Sequence, residues 1–309
     1  MGLRFTVLAS GSGGNATLVE CDGFGLLIDA GLGPRQLAAR LAHVGASWTS
    51  VHAVLLTHTH SDHWNDSTLA QLARRRVPFY CHPGHHRVLE SWSHNFSALK
   101  AARLVRDYDH ADFTITPGLR CRALPISHDG GVTFGFRLEG LPDLFGHSCA
   151  IGYVADLGCW DEPLVQALTD VDLLAIEFNH DVRMECASGR TPALIARVLG
   201  DQGHLSNDQA AGLLREVLRR SRPGRLRHVV QLHLSRDCNE PSLADAAARK
   251  VLTELSSAGE IHTARQDQVG TTIDLGTPPR KRRSRRTSPP KVPPTGPLQG
   301  WLPGLEDAC

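Results

Sequence analysis

The sequence contains no Cys-x-x-Cys pair, although eight cysteines are scattered along its 309 residues. Such scattered spacing argues against a thiolate zinc site and against a disulfide framework. The cysteines are therefore predicted to be reduced thiols, which is typical of a cytoplasmic protein.

Long apolar runs are also lacking, and none approaches the roughly 20 residues needed to cross a bilayer. The first residues, MGLRFTVLASGSGGN, show no charged stretch followed by a long apolar core, so no signal peptide is predicted. These two absences predict a protein with no membrane partner. A hydrophobic content of 41% is enough for a sizeable core, in one large domain or two small ones.

Charge is distributed unevenly, because the net charge of +1 combines a mildly acidic body with a basic tail. Residues 276–309 contain seven Lys or Arg against two acidic side chains, whereas residues 1–275 contain 26 basic against 30 acidic ones. From Gly276 onward Pro, Arg, Lys, Ser and Thr dominate, and no periodicity is visible. We therefore predict a folded domain over 1–275 and a disordered tail over 276–309, with a linker over 276–297.

The body shows alternating strand and helix patterns, which predict an α/β domain. Pro34 fits the first turn of a helix, and Ser206 fits an N-cap. Hairpin-like signals around Gly23 and Gly130–Gly131 favour a mixed sheet. The predicted strands are Arg4–Leu8, Thr17–Cys21, Gly25–Asp29, Ala53–Thr57, Phe79–Cys81, Arg122–Ile126, Thr133–Leu138, Ala150–Ala155, Leu173–Ile176 and His228–Leu232. The predicted helices are Pro34–Val44, Ser67–Arg75, Pro192–Leu199, Asn207–Arg220 and Ser242–Leu255.

One short segment concentrates the chemistry: THTHSDH contains His58, His60, Asp62 and His63 directly after an apolar run. In an extended segment alternate residues face the same way, so His58 and His60 can bind one ion together. Asp62 and His63 then turn toward a second ion. Imidazole and carboxylate ligands suit zinc, manganese and iron.

Four further places put a ligand-type side chain at or just after the end of an apolar strand: Asp29, His128, Asp156 and His233. One such residue is usually structural, hydrogen-bonded to a neighbouring loop. Five such places, including the histidine cluster, predict a shared centre.

The order Asp, H-x-H-x-D-H, His, Asp, His resembles the metallo-β-lactamase fold superfamily over about residues 4–275. The resemblance implies an αββα sandwich, two mixed sheets flanked by helices, with two divalent metal ions at one edge. By position, the first ion is assigned His58, His60 and His128, and the second Asp62, His63 and His233. Asp156 is assigned to bridge the two ions, and Asp29 to orient the cluster from outside the ligand set.

Other motifs resemble WalJ-type exonucleases, which act on double-stranded DNA from the 5′ end: SGSGGN, IEFNHD, GDQGHLSND and HLSRDCN. The family opening is more often G-S-S-G-N, so this chain lacks one hydroxyl there. A glycine-rich loop after a strand can present N–H groups to an anion, although a tight turn explains the pattern too. The substrate-binding residues implied are Ser12, Asn15, His180 and Ser206.

The implied reaction is phosphodiester hydrolysis, in which a hydroxide bridging two metals attacks phosphorus. Asp62 is expected to hold the proton of the hydroxide as well as a metal. His204, before a helix start, is expected to be the general acid, as a similar His in the ribonuclease Z branch suggests. Glu177 is expected to orient His204, and for Glu177 and His180 a structural role is an equal alternative.

The tail adds two hypotheses. The run RKRRSRR, with Arg280, Arg282 and Arg283, can neutralise DNA phosphates without reading sequence, or it can simply keep the tail soluble. The region Gln299–Leu305 loosely resembles the peptides that bind bacterial sliding clamps, although its last apolar residues depart from the usual pattern.

Three alternatives to a DNA exonuclease stay open: a small-molecule phosphodiesterase acting on cyclic ribose phosphates, an RNA-processing nuclease, and a non-enzymatic metal-stabilised scaffold. The scaffold is disfavoured because every ligand position is filled. No domain-sized insertion separates Asp156 from His233, unlike the β-CASP relatives, so a fairly open site is expected.

Overall fold

The computed structural model describes residues 2–142 and 148–276, all of which lie in one compact unit, Met1–Thr277. The predicted linker 276–297, apart from Gly276, and the predicted docking region Gln299–Leu305 lie outside the described residues. Each helix of the described ranges is too short or too polar to span a lipid bilayer.

The strands in the described ranges are β1 (Leu3–Ala9), β2 (Ala16–Cys21), β3 (Phe24–Ile28), β4 (Ala53–Leu55), β5 (Phe79–Cys81), β6 (Val105–Asp107), β7 (Asp112–Thr116), β8 (Leu119–Pro125), β9 (Phe134–Gly140), β10 (Ala150–Val154), β11 (Leu173–Glu177), β12 (His228–Leu232), β13 (Glu260–Thr263) and β14 (Ile273–Asp274). The α-helices there are α1 (Pro34–His43), α2 (Asp66–Arg75), α3 (His86–Trp92), α4 (His94–Ala101), α5 (Glu162–Leu168), α6 (Val182–Cys186), α7 (Pro192–Leu199), α8 (Asn207–Arg220) and α9 (Pro241–Glu254). Short 3₁₀ helices cover Trp48–Ser50 and Pro83–His85.

These strands form two seven-stranded sheets, ordered β14-β1-β2-β3-β4-β5-β6 and β13-β12-β11-β10-β9-β8-β7. In the first sheet β14, β1, β2 and β3 pair antiparallel, and β3, β4, β5 and β6 pair parallel. In the second, β7 to β10 pair antiparallel and β10 to β13 parallel. Both sheets are mixed, as predicted.

Three apolar clusters hold the layers together. The first fills the space between the sheets, with Phe5 and Ile28 from one sheet and Phe136 from the other. The second packs α1, α2 and α4 on the first sheet, and the third packs α5, α8 and α9 on the second. Helices therefore cover the outer face of each sheet, and the predicted αββα sandwich is confirmed.

Local sequence sets the ends of several elements. Ser206 caps α8 as predicted: its hydroxyl accepts from the Gln209 amide, and the Gln209 side chain accepts from the Ser206 amide. The predicted strand Ala53–Thr57 ends earlier, at Leu55, since the Thr57 amide donates to the Asp29 carboxylate instead. This shortening matters, because it leaves the histidine segment free to form an irregular loop.

Candidate metal centre

The predicted ligands converge where the parallel strands of both sheets end. Asp29 follows β3, and the histidine segment follows β4 after a two-residue gap. In the second sheet Asp156 and His233 follow β10 and β12, while His128 lies in the connection from β8 to β9. Carboxyl ends of parallel strands meet at one edge, which explains why residues so distant in sequence share one site.

His58, His60 and His128 form one group, with ligand atoms within 4.8 Å of one another. The closest measured pair is His60 Nδ1 and His128 Nε2, 3.3 Å apart. The His128 ring is held by its other nitrogen, which lies 3.0 Å from the Gly203 carbonyl oxygen. Because a carbonyl oxygen only accepts hydrogen bonds, His128 Nδ1 carries the proton, and Nε2 keeps a lone pair that can bind a metal.

Asp62, His63 and His233 form a second group of the same compactness. Asp62 Oδ2 lies 3.5 Å from His63 Nε2 and 3.6 Å from His233 Nε2. Asp156 lies between the two groups: its Oδ2 is 3.0 Å from His63 Nε2, and it clusters with His58 and His63 as well. The structure therefore brings these predicted residues together in two neighbouring groups, with Asp156 between them.

The residues present fit a pair of cations. His58 Nε2, Asp156 Oδ2 and His233 Nε2 are buried and have no hydrogen-bond partner among the described residues. Buried polar atoms without a partner are costly in a native fold unless an ion or water satisfies them. Imidazole and carboxylate donors suit zinc and manganese, and the fold itself implies divalent metal ions.

Asp29 and Thr57 fix one ligand from behind. His63 Nδ1 lies 2.7 Å from Asp29 Oδ2, and the Thr57 amide and hydroxyl both donate to the same carboxylate. All three residues are fully buried. A carboxylate on the far nitrogen sets the tautomer and orientation of the ring, so that Nε2 faces the centre.

The pKa shifts of two carboxylates and one imidazole in the site favour the forms of these side chains that bind a cation. Burial would raise the pKa of Asp156, but His233 and His63 hold it well below its usual range, so this carboxylate stays ionised. Burial would also raise the pKa of Asp62, and the same two histidines lower it. Burial and His63 both lower the pKa of His58, which keeps that imidazole neutral and able to ligate.

Glu177 holds two imidazoles at once. Its Oε1 lies 2.8 Å from His204 Nδ1 and 3.0 Å from His233 Nδ1, while Oε2 accepts the amides of Leu157 and Leu205. Burial would lower the pKa of His204, but the Glu177 carboxylate raises it above the usual value. The raised pKa favours the protonated form of His204, which lies 3.8 Å from Asp156 and is partly open to solvent.

Three of these residues adopt left-handed backbone conformations that non-glycine residues rarely adopt. Asp29, Asp156 and His233 have φ values of 61°, 55° and 52°. Asp and His tolerate this region better than β-branched residues do. The conformation turns the chain sharply at the strand end and directs the side chain toward the centre.

The predicted glycine-rich loop is largely bonded within the protein. Asn15 Oδ1 accepts the Gly11 amide, and Asn15 Nδ2 lies 3.1 Å from Asp62 Oδ2 and 3.0 Å from His63 Nε2. The Gly13 amide donates to Gln266 Oε1. Ser12 is exposed at the tip of the loop.

His180 and Ser206 lie side by side at the start of α8. A backbone bridge joins them, and both side chains are buried. The Ser206 hydroxyl is engaged by Gln209, whereas neither ring nitrogen of His180 has a hydrogen-bond partner among the described residues. Arg280, Arg282 and Arg283 lie outside the described residues.

Sequence reasoning missed Asp129, which lies next to His128. Its Oδ1 is buried and lies 3.6 Å from both His60 Nε2 and His128 Nε2, and its Oδ2 accepts from Arg197 Nε. The signal was present, since an Asp directly after a predicted ligand is a natural carboxylate for the same site.

Comparison with known proteins agrees with this geometry. Residues 25–226 match the family model described as a beta-lactamase superfamily domain. The exodeoxyribonuclease YycJ of Bacillus anthracis is 28% identical over 268 residues, which are 85% of this chain and 95% of the relative. The exodeoxyribonuclease WalJ of Streptococcus pneumoniae strain D39 is 26% identical over 245 residues, 79% of this chain and 86% of the relative.

Solved structures share the fold at lower identity. Unliganded yeast PDE1 matches with a TM-score of 0.62 and 12% identity, covering 87% of this chain and 99% of its own. A diphosphatase of the PhnP family matches with a TM-score of 0.58 and 17% identity, covering 89% and 98%. Since the family model spans well over half of the sequence, the chain belongs to the beta-lactamase superfamily and is a hydrolase of the metallo-β-lactamase fold.

Proposed function

We propose that the chain is a dinuclear metal-dependent phosphodiesterase that acts as a 5′-to-3′ exonuclease on double-stranded DNA, in repair or processing. The observation that carries this proposal is the joining of two His/Asp groups by Asp156, with the Glu177–His204 pair beside them. Two relatives that match most of the chain are named exodeoxyribonucleases, which supports DNA as substrate. The scattered cysteines favour a cytoplasmic location.

The metal roles follow the two groups. When bound, zinc or manganese ions supply charge for phosphate oxygens and lower the pKa of water toward about 7. His58, His60 and His128 would hold the first ion and Asp62, His63 and His233 the second, and Asp156, which lies between the two groups, would contribute to both.

The proton steps belong to the chain. His204, protonated through Glu177, donates to the leaving oxygen and so makes it a better leaving group. Asp62 Oδ2 faces both His63 and His233, and there it accepts the proton of the attacking water. Both roles place the reacting phosphate in the partly open space in front of His204.

The four predicted substrate-binding residues differ in whether their side chains are already hydrogen-bonded within the protein. Ser12 has an exposed hydroxyl and is assigned to the substrate. His180 has two ring nitrogens without a hydrogen-bond partner among the described residues but is fully buried, so its assignment to the substrate stands beside a structural role. Asn15 and Ser206 act by fixing the loop and the start of α8, since their side chains are already engaged.

The tail is assigned a supporting role. Arg280, Arg282 and Arg283 add salt-dependent affinity for the DNA backbone, and Gln299–Leu305 is assigned to the sliding clamp. A peptide of residues 298–309 that fails to bind the purified clamp contradicts the second role without affecting the first.

The test is hydrolysis of end-labelled duplex DNA bearing a 5′-phosphate, compared with RNA and with a bis-aryl phosphodiester. Metal-stripped protein is restored with zinc or with manganese before assay. His60→Ala and His204→Ala are the test variants, and His94→Ala, an exposed histidine on α4, is the matched control.

We expect stepwise shortening from the 5′ end, abolished together with metal content in His60→Ala. His204→Ala is expected to keep its metal and to lose about 10²–10⁴-fold in rate, most for poor leaving groups. Activity on the small diester alone assigns a small-molecule phosphodiesterase instead, and strict preference for RNA ends assigns an RNA-processing nuclease.

A further inference from the structure

Arg197 lies beside the centre yet belongs to none of its ligand groups. It is in the last turn of α7, with 57% of its side chain exposed. Its Nε donates to Asp129 Oδ2. Its two terminal NH₂ groups form no hydrogen bond with any residue in 2–142 or 148–276.

Asp129 ties this arginine to the wall of the site. The second carboxylate oxygen, Oδ1, lies 3.6 Å from a ring nitrogen of His60 and of His128. One carboxylate group is thus all that separates the guanidinium from two members of the first ligand group. Arg197 therefore lies at the rim of the centre, with Asp129 between it and His60 and His128.

The backbone around the pair is fixed on both sides. The Asp129 amide donates to the Gln202 carbonyl at 2.9 Å, and the Ser127 hydroxyl donates to the Asp201 carbonyl at 2.7 Å. The His204 amide donates to the Val198 carbonyl in α7 at 3.0 Å. The helix that carries Arg197 is therefore linked directly to the segment that carries His204.

We propose that Arg197 binds a non-reacting backbone phosphate of the substrate, next to the phosphate that is cleaved, and that Asp129 holds the guanidinium in place for this contact. A guanidinium fixed through Nε presents its two NH₂ groups in a rigid fork, which matches the oxygens of a phosphate. This inference rests on the proposed function, because a polynucleotide supplies a neighbouring phosphate and a simple diester does not.

Arg222 and Asp170 form a comparable ion pair at another place on the surface. Arg222 is 73% exposed and is also held through Nε, 3.0 Å from Asp170 Oδ2. Asp170 precedes β11, at the end opposite to Glu177, so this pair is remote from the centre. Arg222→Gln is therefore a control that removes the same charge and the same type of ion pair.

The test compares Arg197→Gln, Arg197→Lys and Arg222→Gln on duplex DNA and on the bis-aryl phosphodiester, with metal content measured for each. For Arg197→Gln we expect KM for DNA to rise about five- to tenfold with kcat within about twofold. The slope of log affinity against log salt should decrease by about 0.9, the value for one phosphate contact. Hydrolysis of the small diester and metal content should not change, Arg197→Lys should recover part of the loss, and Arg222→Gln should match wild type.

Three results overturn the inference. An equal loss on the small diester, or a loss of metal, makes Arg197 a support of the first ligand group. An unchanged KM and salt slope make it an ordinary surface residue. Wild-type protein that hydrolyses the diester but not DNA overturns the proposed function as well, which distinguishes that failure from failure of the Arg197 contact alone.

Discussion

At the scale of single residues, Glu177 is the most connected side chain of the centre. It contacts the proposed acid and a proposed metal ligand through one oxygen, and two backbone amides through the other. Ionised and fully buried, it sets the charge of His204 while holding the His233 ring. A substitution of Glu177 should therefore alter the pH dependence of the rate more than the stability of the fold.

Glu177→Gln should shift the alkaline limb of the rate profile to lower pH. In the wild type the raised pKa extends the protonated form of His204 to higher pH, and activity should fall as the pH exceeds that pKa. Without the carboxylate, burial alone lowers the pKa, so the acid form is lost earlier. We expect a loss of about 10–100-fold at pH 8 and a smaller one at pH 6.

The measurement is kcat/KM from pH 5 to 9, with metal content determined at each pH. Glu90→Gln, at an exposed glutamate, controls for the change of side chain. An alkaline limb that stays in place shows that Glu177 does not govern the acid.

Residue 130 must be glycine because a side chain there would collide with two predicted metal ligands. A Cβ there would lie 2.4 Å from His58 Cδ2 and 3.2 Å from His128 Cδ2. Gly130→Ala should displace both rings and reduce metal content and activity at least about tenfold. Gly33→Ala, where a Cβ meets only Gln36 Oε1 at 3.8 Å, is the control. Wild-type metal content in Gly130→Ala, measured by elemental analysis, contradicts the assignment.

At the scale of elements, the segment after β5 supports the loop that follows His128, one member of the first ligand group. His85 is buried, and its Nε2 donates to the Val132 carbonyl at 2.8 Å. Burial lowers the pKa of His85 to about 4. A 3₁₀ turn of the first sheet thus holds the Asp129–Val132 loop of the second through a neutral imidazole.

His85→Asn should flatten the pH dependence of stability between about pH 6.5 and 4. The folded pKa lies below the unfolded one, so the contribution is complete above pH 6.5 and is lost as pH falls through about 4. The full linkage is on the order of 3 kcal/mol. Urea unfolding at pH 7.5 and 5 measures the part of this linkage that is lost by pH 5, with exposed His94→Asn as control. Parallel pH slopes for wild type and His85→Asn exclude this coupling.

The elements also show what sequence can predict. The long amphipathic helices α8 and α9 and the apolar strands β5 and β12 were predicted with bounds correct to one residue or fully. The edge strands β6, β7, β13 and β14 were missed, because they are short, polar in part, and stabilised by pairing with a neighbour that sequence does not reveal. Helices α3 to α6 were missed for a similar reason, since each has five to eight residues.

The residues of the site that were predicted differ from those that were missed in the same way as the elements do. Asp29, Asp156 and His233 were predicted because each follows a clear apolar strand, and the structure brings them together. Asp129 and Arg197 were missed because their importance arises from a contact between a loop and a helix 68 residues apart. Local patterns identify ligands at strand ends, whereas support between loops requires tertiary contacts.

At the scale of the whole molecule, bound metal should stabilise the fold. The centre brings together side chains that follow β3 and β4 of one sheet and β10 and β12 of the other. Its buried polar atoms without hydrogen-bond partners would be satisfied by bound metal ions. At a free metal concentration 100-fold above Kd the gain is about 2.7 kcal/mol. We therefore expect chelation to lower Tm by about 5–10 °C.

Thermal unfolding with chelator, with zinc and with manganese measures this effect. His60→Ala should show a smaller response to chelation, because its first ligand group is incomplete. A Tm that does not depend on metal in the wild-type protein contradicts the role of the centre in stability.

The order of strand pairing has a consequence for symmetry. Each sheet consists of three antiparallel pairings followed by three parallel ones, and in each an aspartate with φ near 60° closely follows the first strand of the parallel run, Asp29 in one sheet and Asp156 in the other. Each sheet thus contributes one aspartate from an equivalent position, and the two differ in use: Asp156 lies between the ligand groups, and Asp29 lies behind His63.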